Sequence, residues 1–109
     1  PEARRQSLYL SAELYQKSGR LAEAAARYAD YVKIYPRPFA LATEARYQLL
    51  QLAEKQGDDK TRRYWLNQLI DADAKAGGDR NDRSRYLAAY ASSQFAGEAF
   101  ARFERIKLT

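Results

Sequence analysis

Carboxylates, arginines and tyrosines are the reactive side chains of this chain, because its 109 residues include no histidine and no cysteine. Without histidine there is no imidazole base, no imidazole metal ligand and no imidazole-based triad. Without cysteine there can be no disulfide, iron–sulfur cluster or thiolate zinc site. Asp58, Asp59, Asp71, Asp73, Asp79 and Asp82 gather around two turns, and paired carboxylates can do acid–base or metal chemistry. Their places at helix ends give them a simpler task, capping and solvating those ends. Asp71-x-Asp73 has the spacing that opens a calcium loop, but Lys75 stands at the third ligand position and no glycine follows it. A nucleotide-binding glycine motif is also missing. The residues point away from an enzyme and imply no cofactor.

The arginines suggest a second chemistry. Arg80, Arg83 and Arg85 cluster in DRNDRSR, and Arg62-Arg63 precede Tyr64-Trp65. Arginine beside aromatic rings is what a single-stranded nucleic-acid groove uses. Against this, Asp79 and Asp82 dilute the first cluster, and Trp65 falls on an apolar stripe that a core would claim. The balance of 19 basic to 14 acidic residues gives +5, which favours acidic partners without requiring nucleic acid. A basic nucleic-acid-binding domain is the lesser reading.

The elements that position these residues are helices. Leu8 to Pro36, LYLSAELYQKSGRLAEAAARYADYVKIYP, reads as two amphipathic helices folded back around Lys17-Ser18-Gly19-Arg20. Apolar residues recur at Leu8, Ala12 and Tyr15, with Leu14 flanking, then at Leu21, Ala24, Tyr28, Tyr31, Val32 and Tyr35. Intervals of three and four fit a helix and not the period of two of a strand. Gly19 suits the left-handed end of the first helix, and Pro36 stops the second. The same reasoning predicts helices over Pro1–Lys17, Leu21–Tyr35, Phe39–Lys55 and Asp59–Ala76. Leu41, Ala45, Leu49, Leu52 and Ala53 form the stripe of the third, and Trp65, Leu66, Leu69 and Ile70 that of the fourth. From Asn81 onward a last helix of about 25 residues is expected, continuous through Gly97. Its stripe is Ala88, Ala91, Phe95, Ala99, Phe103 and Ile106, with Leu87, Tyr90 and Phe100 off it.

The first helix pair resembles the tetratricopeptide repeat (TPR). The residues that carry the resemblance are Leu8, Ser11-Ala12, Tyr15, Ala24-x-x-x-Tyr28 and Pro36, at the family's spacing, with Leu8 in place of the usual Trp and Ser11 in place of Leu. Gly19 and Gly57 lie 38 residues apart, and that shift sets Tyr9 on Tyr47, Gln6 on Glu44, Glu13 on Gln51 and Lys17 on Lys55. Residues 39–76 are thus a degenerate second repeat after a first at 3–36, with Arg46 where a large apolar residue belongs and Ala53 where Tyr belongs. The implied fold is all-α, with antiparallel helix pairs in a right-handed superhelix, about five helices in all. The chain reads as one domain and as a piece of a longer protein. No apolar run is long enough to span a bilayer, so membrane insertion is not expected.

In that family the first helix of each pair lines a concave, partner-binding surface. The resemblance therefore implies a groove at Gln6, Tyr9, Glu13, Gln16, Lys17, Glu44, Tyr47, Gln51, Glu54 and Lys55. It implies a non-catalytic scaffold whose partner is a protein or peptide. The Gln/Glu/Lys lining lacks the Lys/Arg/Asn clamp by which some TPR cochaperones hold a C-terminal carboxylate. Tyr9 and Tyr47 lie off the main stripes; such tyrosines either line an interface or pack between stacked units. Both readings stand at this level. The apolar last helix offers the alternative of self-association, or of a structural spacer. Its texture, DRSRYLAAYASSQFAGEAFARFERIKLT, resembles segments of large TPR proteins of Gram-negative bacteria, some described as components of TonB-type envelope systems. That resemblance implies a periplasmic setting, with the cytoplasm as the alternative.

Overall fold

Left-handed glycines and a proline-flanked linker cut the chain into helices. The computed structural model describes residues 2–108, and the side chains of residues 2–99. In order come α1 (Glu2–Lys17), α2 (Leu21–Ile34), α3 (Phe39–Gln56), α4 (Asp59–Lys75) and α5 (Asp82–Leu108), with a 3-10 turn at Gly77–Asp79. The fold is all-α. α2, α3, α4 and α5 end within one residue of the predicted limits, and α5 runs through Gly97 unbroken. Gly19 and Gly57 take φ of 80° and 68°, which a residue with a Cβ adopts only with strain. Each closes its helix with the same paired bonds. Arg20 N–H reaches Tyr15 O at 2.9 Å and Gly19 N–H reaches Gln16 O, while Asp58 N–H reaches Ala53 O and Gly57 N–H reaches Glu54 O. Asp58 then caps α4 by accepting from Thr61 N–H at 3.1 Å.

Packing centres on α2. Ala12 of α1 and Ala24 of α2 are fully buried, and their small side chains let the two backbones approach. Tyr28 and Tyr31 of α2 are buried as completely, so their hydroxyls need partners inside the protein. Tyr28 Oη donates to Gln16 Oε1 at 2.7 Å. Tyr31 Oη accepts from an Arg5 Nη at 2.8 Å. Every helix packs on the one after it, and α3 also touches α5. The least dimension, 17 Å, is that of two helix layers, each helix being about 10 Å across.

α5 buries Ala88 and Ala91 of its expected stripe, packs Phe95 on the core, and adds residues from beside that stripe. Ser84, Leu87, Ala88 and Ala91 are buried, so Leu87, expected off the stripe, is the deepest large side chain of α5 among the described residues. Ala88 and Ala91 let α5 lie close to α4, and Leu87 fills the space beside them. Phe95 is half-buried, Ala99 is exposed, and Phe100, Phe103 and Ile106 lie outside the described side chains. Leu14, the flanking residue of α1, is 66% exposed.

A polar corner joins α4 to α5. Asp73 is buried and accepts from Ser84 Oγ at 2.7 Å and from Arg80 Nε at 3.0 Å. Ser84 N–H in turn donates to Asn81 Oδ1, and Asn81 N–H to Ser84 Oγ, a reciprocal cap at the start of α5. Burial alone would raise the Asp73 carboxyl. The Ser84 hydroxyl and the Arg80 guanidinium outweigh it and hold the group below the usual carboxylate range.

Arg46, on the inner side of α3, is the one polar misfit of the second pair. One of its Nη atoms is buried without a hydrogen-bond partner, and burial lowers its pKa. Arg46→Met keeps the stem and removes that cost, so it should raise stability by about 1 kcal/mol, read as a higher urea midpoint at unchanged slope. Asp73 sets an acid limit with the opposite sign. Its folded pKa lies below the unfolded value of about 3.9, so its stabilisation is complete above that value and is lost as pH falls through the folded pKa. Thermal unfolding temperature should drop as pH falls below about 4, and Asp73→Asn should flatten part of that drop while lowering the neutral-pH value.

Candidate protein-binding face

α1 and α3 present equivalent flanks because the helix period repeats across the 38-residue shift. Gln6, Tyr9, Glu13 and Gln16 recur at threes and fours along α1, with Lys17 following; Glu44, Tyr47, Gln51 and Glu54 do so along α3, with Lys55 following. Gln6, Lys17, Glu54 and Lys55 are exposed, and the other six are half-buried. The two flanks are tied to each other: Gln16 Nε2 donates to Gln48 Oε1 at 2.8 Å. Gln16 thus accepts from Tyr28 on one side and donates to Gln48 on the other, joining α2, α1 and α3. It is a positioning residue, with both ends of its amide engaged.

Tyr9 has two environments. Its ring packs edge-on against Tyr28 and Tyr31, with centroids 5.6 and 5.0 Å away. Its hydroxyl is pushed up to about 12 by burial and by the carboxylates of Glu13 and Glu44. The same ring lines a cleft of about 290 Å³ with Arg5, Gln6, Leu10 and Leu41. Tyr9 is therefore both a packing residue and a wall. Tyr47 keeps its contacts on α3: its hydroxyl accepts from Gln51 Nε2 at 2.8 Å.

α5 adds a third flank that the repeat register does not include. Arg83 sits over the ring of Tyr47 at 4.9 Å and of Tyr86 at 5.9 Å. It also chelates Glu44, with Nε to Oε2 at 2.8 Å and Nη2 to Oε1 at 3.3 Å. Glu44, expected in the groove, is thus tied to Arg83, which the sequence groups with Arg80 and Arg85. Tyr90 is raised by burial and by Glu54 and Tyr47. The signal was present as Arg83-x-x-Tyr86-x-x-x-Tyr90, one helical face, but no third repeat register pointed to it.

The other candidate chemistries find little geometry. Asp59 accepts from Arg62 and Arg63, Asp71 pairs with Lys75, and among the described residues no three carboxylates are grouped to hold a metal ion. Arg62 and Arg63 both reach Glu98 of α5. No described helix is long and apolar enough to cross a membrane. Comparison with protein-family models, curated proteins and solved structures gives no match.

Gln16→Ala should remove two interhelical bonds and leave the buried Tyr28 hydroxyl unpaired, lowering stability by about 1–3 kcal/mol. Adding Tyr28→Phe should recover part of that loss, since it removes the stranded hydroxyl. Chemical denaturation of the two single variants and the double variant measures the coupling.

Proposed function

We propose that this chain is a non-catalytic protein–protein interaction scaffold of the TPR-like kind, taking a partner segment across α1, α3 and α5. The observation that carries the reading is the set of half-exposed tyrosines and polar side chains on those helices: Tyr9, Tyr47 and Tyr90 with Glu13, Gln48 and Gln51. Tyrosine buries much area for little lost side-chain entropy and keeps a hydroxyl for the partner's backbone. Glutamine amides beside them offer both a donor and an acceptor. The carboxylates Glu13 and Glu54 have no cationic partner among the described residues, whereas Arg83 is held by Glu44. An extended segment with apolar side chains and backbone polar groups suits such a lining. The envelope setting with TonB-type systems rests on the texture of the last helix and is part of the proposal.

The test is a cross-linked capture from a bacterial envelope extract, with this chain and its Tyr47→Ala variant as baits. Tyr47 is preferred to Tyr9, whose ring supports the core. The expected result is a protein captured by the first bait and reduced at least about tenfold with the second, at unchanged helical circular dichroism. Capture unaffected by the substitution would move the contact elsewhere and reject the face. Self-association alone would favour the assembly reading, and oligonucleotide binding at low salt the basic-domain reading.

A further inference from the structure

The tyrosine-lined face already holds one cation of the chain itself. Arg83 of α5 lies over the rings of Tyr47 and Tyr86, while Glu44 of α3 accepts from its Nε and Nη2. One guanidinium is thus taken by a carboxylate and phenol rings together, so that ion pairing and the ring quadrupole act on the same charge. The face repeats this combination twice more. Glu13 stands one turn beyond Tyr9 on α1; burial raises the Tyr9 hydroxyl, and Glu13 raises it further. Glu54 of α3 stands in the same relation to Tyr90 of α5, which burial and then Glu54 raise. Neither Glu13 nor Glu54 forms an ion pair among the described residues. Lys17 and Lys55, at the ends of α1 and α3, are exposed and pair with neither carboxylate.

The helices set the spacing of these two carboxylates. Gln16 bonds Gln48 across the furrow between α1 and α3, and Tyr9 shares a cleft with Leu41. Both pairs are 32 residues apart, so the two helices run parallel at that offset. Glu13 is then level with Ala45, and Glu54 lies further along α3 by about 13 Å at 1.5 Å per residue. An extended chain covers that length in about four residues. Four is an even number, so the side chains at the two ends of the interval point the same way.

We propose, resting on the reading of this face as the partner surface, that its ligand is an extended basic segment. Two lysine or arginine side chains about four residues apart are seated in it, one at Glu13 and Tyr9, the other at Glu54 and Tyr90. Flexible stems take up the sideways separation of the helices. The local carboxylates decide the sign here, against the net charge of +5, which by itself favours acidic partners. An acidic peptide or a nucleic-acid strand would bring like charge to both seats.

The probes are three capped peptides, TRVTVRT, TQVTVQT and TEVTVET, titrated into the isotope-labelled full chain and followed by amide shifts. TRVTVRT is expected to bind with a dissociation constant near the millimolar range, shifting amides around Tyr9, Glu13, Glu54 and Tyr90. It should bind at least about tenfold more tightly than TQVTVQT, and TEVTVET should bind least. E13Q/E54Q should remove the preference for TRVTVRT over TQVTVQT and lower its salt dependence, at unchanged helical circular dichroism. E13K/E54K should transfer the preference to TEVTVET, which a purely structural role of the two residues would not do. Equal affinity for TRVTVRT and TQVTVQT at these amides overturns the basic-segment assignment while leaving the face itself standing. A preference that survives E13Q/E54Q, or shifts confined to other helices, also overturns it. So does the absence of saturable binding of TRVTVRT up to about 5 mM, a millimolar limit; the Tyr47→Ala capture then decides the face on its own.

Discussion

Two phenol hydroxyls, those of Tyr28 and Tyr31, are taken out of water on α2, and the arrangement of the first three helices depends on that. A buried hydroxyl without a partner costs about 1–3 kcal/mol, so α1 must be rotated to bring both Arg5 and Gln16 to face α2. Gln16 and Arg5 lie eleven residues apart, three helical turns, so α1 has one rotation and one height that satisfy both. Gln16 then passes the constraint to α3 through Gln48. An aliphatic core would bury similar area with less demand on register; the tyrosines exchange freedom of packing for a defined geometry.

The second half achieves definition by charge. Asp73 holds the turn into α5 through Ser84 and Arg80, and Glu98 receives Arg62 and Arg63 further along. Arg83 crosses to Glu44 and the Tyr47 ring. The acidic cluster and the arginine cluster thus largely neutralise each other.

Helix limits were legible because they depend on local chemistry: Gly19, Gly57, Asp58 and the Pro36–Pro38 linker act within one turn. The stripes of α2 and α4 were legible as well, since Tyr28, Tyr31, Leu66 and Leu69 recur at the helix period. Leu87 was not, because a long alanine-rich helix carries several stripes of similar strength and the partner helix chooses among them. Tyr9 could not be assigned from sequence, since a ring long enough to reach Tyr28 and Tyr31 still leaves one edge on the surface. Gln16 read as a ligand-facing amide; that it is spent on Tyr28 and Gln48 depends on residues 12 and 32 positions away, beyond any local pattern. Arg83 read as part of a basic cluster for the same reason: only the α3–α5 contact sets it on Glu44 and the Tyr47 ring.

Trp65, the single tryptophan of the chain, lies edge-on to Tyr64 with ring centroids 4.8 Å apart and closes the seam with α2. That placement makes it an intrinsic optical gauge. Its indole is the only one contributing to emission, its neighbouring phenol can pass excitation to it, and its solvent exposure changes when the two hairpins part. The colour of the fluorescence therefore reports the joint between the halves of the molecule without a label.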